Sequence, residues 1–508
     1  MSISPRPSCR ADTVIALLAG ALAVAACSAP GRGLGSTTGS GGSGGTGQGG
    51  SGGGTGGSGA GGRAGNGGSG PAGNGGSGPA GNGGSGTAGS GGSGTAGSGG
   101  VSASGGSTAT GGSAGVSGTG GAGGTTGAAG SGAAPPTIPG SGNCAAPAGA
   151  NPADAMAAYA KWKSDLVVSS GAHGFLRVQR PNSSGAEVDS SNSEGIGYGM
   201  LLAVFANDQN TFDNLWKYSQ QFLDNHGLMN WYISADGNSV LGTGAATDGD
   251  EDMAFALLMA DKRWGGQGSL ATSYLAAAKT QIGLIWQYEV DPNHAYVLTS
   301  GDQSDGSVIN ISYFAPAYYR EFGLATGAAA NWKKVIDESY TVISATLDAQ
   351  NGNLNNGLVP AWSTPAGVPM TPPNTSMPLY HQLDSCRTPF RLGEDYCWNA
   401  EARALAYLTK ITGFYSGVGV ANMVDGYDLD GTPHPQFVTA GGPRAASFVG
   451  PAGVGAMATG TSYLKLRDDA YASVATLADL AGSTYYQESW TVLSLQMMTG
   501  LLRDLDAP

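Results

Sequence analysis

Through the carboxy-terminal two-thirds of the chain, apolar residues recur every three to four positions in run after run. That spacing places them on one face of a helix. The first run, Asp154 to Val168, carries Met156, Tyr159, Trp162 and Leu166. Glu194 to Phe205 and Phe212 to Phe222 follow, then about Asp250 to Trp264, Leu270 to Tyr288, Ile311 to Leu324 and Ala328 to Leu347. Another helix is expected from Pro389 to near Thr412, and three more over roughly 442–459, 468–480 and 485–502. Breaks rich in Gly, Pro, Asn and Asp separate the runs. Leu228 to Ile233 and Tyr296 to Leu298 read as short strands at the rim. Strand and helix do not alternate, so a parallel sheet is not expected. The pattern predicts an all-α domain of helix hairpins over 144–508, long enough for one substantial core.

The amino-terminal third has no such pattern. Every Phe, Trp and Tyr lies at or after Tyr159, and most of the 91 glycines fall between Gly31 and Gly142. A segment so poor in apolar surface cannot offset its chain entropy, so 28–143 is expected to be a disordered linker. A repeat of about eight residues occurs at Ala64 to Pro71 and again at Ala72 to Pro79, with no hydrophobic face to stack. A flexible coil of about 110 such residues spans roughly 55–65 Å. It reads as a tether.

Residues 1–27 read as an export signal. Arg6 and Arg10 form a short basic region, and Val14 to Ala26 form an apolar run too short to span a bilayer comfortably. The run ends Val24-Ala25-Ala26-Cys27, which resembles a bacterial lipobox and implies cleavage and lipidation of Cys27. The expectation is an exported protein, lipid-anchored at the cell envelope. An ordinary secretory signal is the alternative.

Charge and cysteine content narrow the partners. A net charge of -13 leaves no basic stripe to neutralise phosphates, so nucleic acid is excluded and docking on anionic lipid is disfavoured. Beyond Cys9 and Cys27 there remain Cys144, Cys386 and Cys397. Along a straight helix opened by Pro389, Cys386 and Cys397 would sit about 12 Å or more apart, too far for a bridge. The pairing stays open. No zinc spacing occurs and only five His are present, so no metal and no cofactor are expected.

Candidate chemistry centres on Ala246 to Trp264, where Asp248, Asp250, Glu251 and Asp252 fill four of five positions ahead of an apolar helical run. A solvated acidic first turn, favoured by the helix dipole, is the plain explanation. A carboxylate held at a pocket mouth is the functional one. Asp248-x-Asp250-x-Asp252 is not an EF-hand, since Met253 and Met259 replace the required Gly and Glu. Asp425 to Gly431 reads as a polar turn, with calcium binding as the lesser alternative. Gly195-Ile-Gly197-Tyr-Gly199 has no strand context for a nucleotide loop. Beside Glu194, these glycines cost helix stability of around 1 kcal/mol each, which suggests close approach by another group. Asp384 precedes Pro389, with Arg387 placed to keep it ionised. Separated carboxylates among many aromatics are what glycoside hydrolysis requires.

The stretch Ala246 to Trp264 resembles the signature of glycoside hydrolase family 8. Similar motifs are Gly174 to Arg180, Ser193 to Met200, Gly227 to Trp231, Ser312 to Tyr319 and Asp384 to Arg387, and the resemblance runs from about Tyr159 to Gly500. It implies an (α/α)6 barrel that hydrolyses β-1,4-linked glycans with inversion. It also implies Glu194 as general acid, Asp384 as general base and Asp248 as the acid gripping the distorted sugar. Trp231 would be a stacking platform, Arg387 the partner orienting the base, and Tyr198 and Tyr313 cleft residues. A late cleft tyrosine would be Tyr485 or Tyr486. Asp250, Glu251 and Asp252 keep the helix-end reading. The expectation is a monomeric endo-β-1,4-glucanase acting on cellulose or mixed-linkage glucan. Alternatives are a xylanase or chitosanase of the same family, or a non-catalytic glycan-binding lipoprotein.

Overall fold

Six helix hairpins account for the periodic runs. A computed structural model describes residues 143–182, 186–373, 375–477 and 484–505, so the expected signal, Cys27 and nearly all of the linker lie outside the described residues. The helices are α1 (Pro152–Leu166), α2 (Ser193–Phe205), α3 (Gln209–Ser219), α4 (Thr247–Trp264), α5 (Tyr274–Tyr288) and α6 (Pro316–Thr326). They continue with α7 (Ala329–Thr346), α8 (Thr388–Asn399), α9 (Ala402–Val418), α10 (Ala446–Met457), α11 (Leu464–Ala475) and α12 (Thr484–Met498).

The even-numbered helices form a closed inner ring. α2 packs on α4, α4 on α6, α6 on α8, α8 on α10, α10 on α12, and α12 returns to α2. The odd-numbered helices lie outside, each against its inner neighbours. This is an (α/α)6 barrel. Burial follows the same division. Every residue of α10 is buried, and in α2 every residue except Glu194. In α1 the buried residues are Ala155, Ala158, Tyr159, Trp162 and Leu166, a single stripe, and Met156 faces solvent instead of joining it. A helix apolar on all sides belongs inside and an amphipathic one outside.

Close approach of α2 and α4 depends on two glycines. A Cβ on Gly197 would lie 2.8 Å from Asp252 Cβ, and one on Gly249 would lie 2.6 Å from the Ser193 carbonyl carbon. Any side chain there would push the helices apart, and with them the carboxylates at their ends.

The predicted helix from Pro389 to Thr412 is in fact two. Ala400 takes a left-handed conformation (φ 53°) that ends α8, and the Glu401 side chain then caps α9 through the Arg403 amide. The break turns an inner helix back into an outer one. α3 begins three residues earlier than its apolar pattern suggested, because Asp208 caps it through the Thr211 amide.

Short antiparallel pairs occupy the rim. Tyr232–Ile233 pairs with Ser191–Asn192 on one side and Val240–Gly242 on the other, while Val297–Leu298 pairs with Val290–Asp291. The Asp425 turn is a polar turn: its carboxylate accepts from the amides of Gln436, Phe437 and Val438.

Cys144 pairs with Cys397, and Cys386 stays reduced and buried. The bridge joins the start of the described chain to the last turn of α8, where Asn143 Nδ2 also donates to the Cys397 carbonyl (3.3 Å) and the Ala145 amide to that of Met457 (3.1 Å). These are the carboxy-terminal ends of inner helices. Closing 253 residues of separation, the bridge contributes about 2–5 kcal/mol, mainly by restricting the unfolded chain.

Candidate active site

The site lies at the opposite end of the barrel, where inner helices begin. Asn192 caps α2 by accepting from the Gly195 amide (3.0 Å), and the Ser193 amide donates to the Trp231 carbonyl (3.0 Å). The rim strands therefore set the position of Glu194, the second residue of α2. Asp248 is the second residue of α4, and Tyr485 the second of α12. Asp384 immediately precedes and Arg387 ends a one-turn helix (Ser385–Arg387) ahead of α8, and Tyr313 ends a similar turn (Ile311–Tyr313) ahead of α6.

Arg387 is the hub. Its Nη1 donates to Glu194 Oε2 (2.9 Å) and Asp248 Oδ2 (2.8 Å), and its Nη2 reaches Asp384 Oδ1 at 3.3 Å. Nε donates to Ser312 Oγ (3.1 Å), and the Tyr313 ring lies 5.0 Å from the guanidinium carbon. A planar fork with five donors suits this task, which the point charge of a lysine would not. The sequence suggested Arg387 as a partner of Asp384 alone. Its links to Glu194 and Asp248 cross 193 and 139 residues of chain and leave no trace in local pattern.

Around the hub, Tyr198 donates to Glu194 Oε2 (3.2 Å) and Tyr485 to Oε1 (2.7 Å). Tyr486 instead donates to the Leu383 carbonyl (2.6 Å), propping the backbone before Asp384. Of the two late tyrosines, Tyr485 is the one that touches the carboxylates. Gln382, which sequence reading missed, donates from Nε2 to Asp384 Oδ2 (2.8 Å) and accepts from the Asp384 amide (3.2 Å). Trp231 is buried and stacked on Tyr232 at 4.9 Å between centroids, and a Cβ on Gly242 would lie 2.2 Å from its Cε2.

Electrostatics here are governed by loss of water. Burial raises the Glu194 pKa and Asp248 adds to the rise, while Arg387 opposes it. Asp384 was expected to be kept ionised by Arg387. Burial instead outweighs that ion pair and the Gln382 hydrogen bond, and its carboxyl is pushed up to about 7.

The remaining acids of the signature are neither solvated nor helix caps. Asp250, Glu251 and Asp252 are fully buried, and α4 has no side-chain cap at Ala246. Asp250 accepts from Gln281 of α5 (2.7 Å), Glu251 from Tyr319 of α6 (3.0 Å) and Asp252 from Arg391 of α8 (2.6 Å). Asp252 and Arg391 follow Asp248 and Arg387 by four residues each, so α4 and α8 carry a second ion pair one turn deeper. Burial pushes Asp252 up to about 6 and Glu394, beside Arg391, up to about 8.

Asp224, His226 and Asp302 bring potential metal-ligand atoms within 4.8 Å of one another, the one such group among the described residues. Asp302 accepts from the Ala245 amide (2.8 Å) and meets His226 Nδ1 at 2.5 Å, so the trio braces the segment entering α4.

An (α/α)6 barrel with three carboxylates gathered on one buried arginine at the inner helix starts is an arrangement suited to a glycoside hydrolase. A family model described as glycosyl hydrolases family 8 matches residues 143–500. The chain belongs to that family. It is 36% identical over 349 residues to Endoglucanase A of Acetivibrio thermocellus, covering 68% of each chain. It is 38% identical over 348 residues to Endoglucanase 2 of Ruminiclostridium josui, covering 67% of this chain and 70% of that protein. Among solved structures, the β-1,3-1,4-glucanase from Paenibacillus sp. X4 superposes with a TM-score of 0.62 at 28% identity, over 71% of this chain and 96% of that one. Rex8A from Paenibacillus barcinonensis shares the fold at 19% identity and TM-score 0.57, over 70% and 96%.

Proposed function

We propose that this domain is an endo-acting β-glucanase that cleaves β-1,4-linked glucan, cellulose-like or mixed-linkage, with inversion. Glu194 protonates the leaving oxygen and Asp384 takes a proton from the attacking water. Asp248 holds the sugar at the cleavage point, with Tyr198 and Tyr313 beside it and Trp231 as the sugar platform. The observation that carries this reading is the placement of Glu194 and Asp384 on two nitrogens of one guanidinium. Adding the two bonds to the width of the fork caps their separation at roughly 8.5 Å, which permits the ~6.5–9.5 Å that inversion uses to admit a water. Relatives named endoglucanase support glucan as the substrate.

Soluble cellulose, mixed-linkage glucan, xylan and chitosan should be assayed in parallel, with the first product followed by proton NMR. Fastest hydrolysis is expected on the two glucans, with the α-anomer formed first. A β-anomer first would overturn the inverting assignment, and faster turnover of xylan or chitosan would overturn the substrate.

The reading extends to location. The protein is exported and held by lipid at Cys27, and the Cys144–Cys397 disulfide suits an oxidising compartment outside the cytoplasm. The domain is taken to act as a monomer. In a bacterial host, wild type is expected in the membrane fraction and Cys27→Ser in the soluble fraction. Equal partitioning of the two would exclude the anchor.

A further inference from the structure

Glu194 has two carboxyl oxygens, and they are not equivalent. Oε2 accepts from the Arg387 guanidinium (2.9 Å) and from the Tyr198 hydroxyl (3.2 Å). The Tyr198 oxygen in turn faces Arg387 Nη1 at 3.4 Å, which directs its proton toward Oε2. Two donors, one of them cationic, make Oε2 an acceptor only. A transferable proton therefore belongs on Oε1, and Oε1 is held by the Tyr485 hydroxyl at 2.7 Å.

What holds Tyr485 is the next link. Its ring is 1% exposed and lies against Gly195, where a Cβ would sit 3.0 Å from the ring. Arg180, fully buried, places its guanidinium carbon 5.9 Å from the Tyr485 centroid and 5.5 Å from that of Tyr232. Both distances are within the roughly 6 Å at which a cation is attracted to an aromatic face. The Arg180 backbone is bridged to Ser190 one residue before the Ser191–Asn192 strand that leads into α2. The guanidinium and the carboxylate it influences are thus fixed by one piece of rim.

We propose that Arg180 is a positioning residue for the general acid: it presses Tyr485 against the Gly195 backbone, so that the Tyr485 hydroxyl fixes Oε1, the oxygen that gives its proton to the departing sugar. This rests on Glu194 being the acid. In the step itself, the Oε1–H bond breaks as a proton passes to the glycosidic oxygen, the bond from that oxygen to the anomeric carbon breaks with its electron pair, and Glu194 is left as carboxylate. Arg387 on Oε2 stabilises that carboxylate directly, and Arg180 does so at longer range, opposing the effect of burial. The other charged or titratable groups facing Glu194 are Asp248 from α4, Asp384 from the turn before α8, Tyr198 from its own helix, Tyr313 from the turn before α6, and Tyr485 and Tyr486 from α12.

The test uses Arg180→Met, Arg180→Lys and Tyr485→Phe, assayed on aryl β-cello-oligosides of graded leaving-group acidity and on soluble glucan across pH. Misplacing the acid is expected to lower kcat about 10–100-fold for glucan and poor leaving groups. Good leaving groups, which need little proton donation, should change by less than about threefold. Arg180→Met should also move the basic limb of the pH profile upward, because a charge favouring the Glu194 carboxylate is gone. Arg180→Lys should restore that limb. Tyr485→Phe keeps the ring, so it preserves packing while removing the bond to Oε1, and it should give the same leaving-group signature. Equal losses across all leaving groups, or an unmoved basic limb in Arg180→Met, would overturn the proposal. Glu194→Gln is run alongside. If it lacks the leaving-group dependence, the assignment of the acid fails, and that result is distinct from failure at Arg180.

Discussion

Glu194→Gln is expected to lower kcat on soluble glucan by about 10²–10⁴-fold, with KM changed little. The amide keeps the size of the side chain and can still accept from Tyr485 or from Arg387, so the barrel should fold unchanged. What is lost is the proton. Asp384→Asn is expected to be as damaging, because under the proposed assignment the attacking water then has no base. A variant of either kind that retained wild-type kcat, measured by reducing-sugar release from purified protein, would exclude its residue from the chemistry.

The pH dependence follows from the same site. With its carboxyl pushed up to about 7 by burial, Asp384 is protonated below that pH and cannot accept a proton. The acid limb of kcat/KM is therefore expected near pH 7, falling tenfold per unit below it, instead of near the usual Asp value. Stability runs the other way. A folded pKa above the unfolded 3.8 means a contribution fully present at low pH and lost as pH rises through about 7. Asp384→Asn, neutral at every pH, should then be more stable than wild type at pH 8, by on the order of a few kcal/mol. The difference should shrink as pH falls toward 4. An inactive variant that is also less stable at pH 8 would show that Arg387, not dehydration, governs the carboxyl.

Arg387→Met should be the most disruptive single change in the molecule. Asp248 and Asp384, both buried, and the partly buried Glu194 would each lose their cation, and breaking a buried ion cluster from one side costs about 3–5 kcal/mol. Activity should fall by at least the factor expected for Glu194→Gln, since both of the proposed proton-handling groups lose their orientation. Arg387→Lys should rescue little, because one ammonium cannot reach three carboxylates in fixed directions. In a double-mutant cycle, adding Asp248→Asn to Arg387→Met should recover part of the stability and none of the activity. Purely additive unfolding energies would contradict the three-way hub.

Much of this was readable along the chain because helices leave a local signature. Nearly every apolar run became a helix, and the motifs around 194, 248 and 384 placed candidate carboxylates at or near helix starts before any geometry was known. Local pattern failed where the deciding contact is remote. Asp250, Glu251 and Asp252 suit a solvated first turn by sequence, since the dipole argument needs only their own helix. They are buried because α4 is an inner helix, and Gln281, Tyr319 and Arg391 come from three other helices to meet them. The Cys144–Cys397 bridge is of the same kind, joining residues 253 apart. The Asp384 pKa is another case: Arg387, three residues away, argues for a low value, and only removal of water by the whole assembled cleft reverses it. Short-range pattern was enough for most of the helices and for the residue types at their starts, and too little for several caps and for the break at Ala400. Closing the ring decided which carboxylates share a cation and how dry they are, because Coulomb energy and desolvation depend on distance in space and on what excludes water.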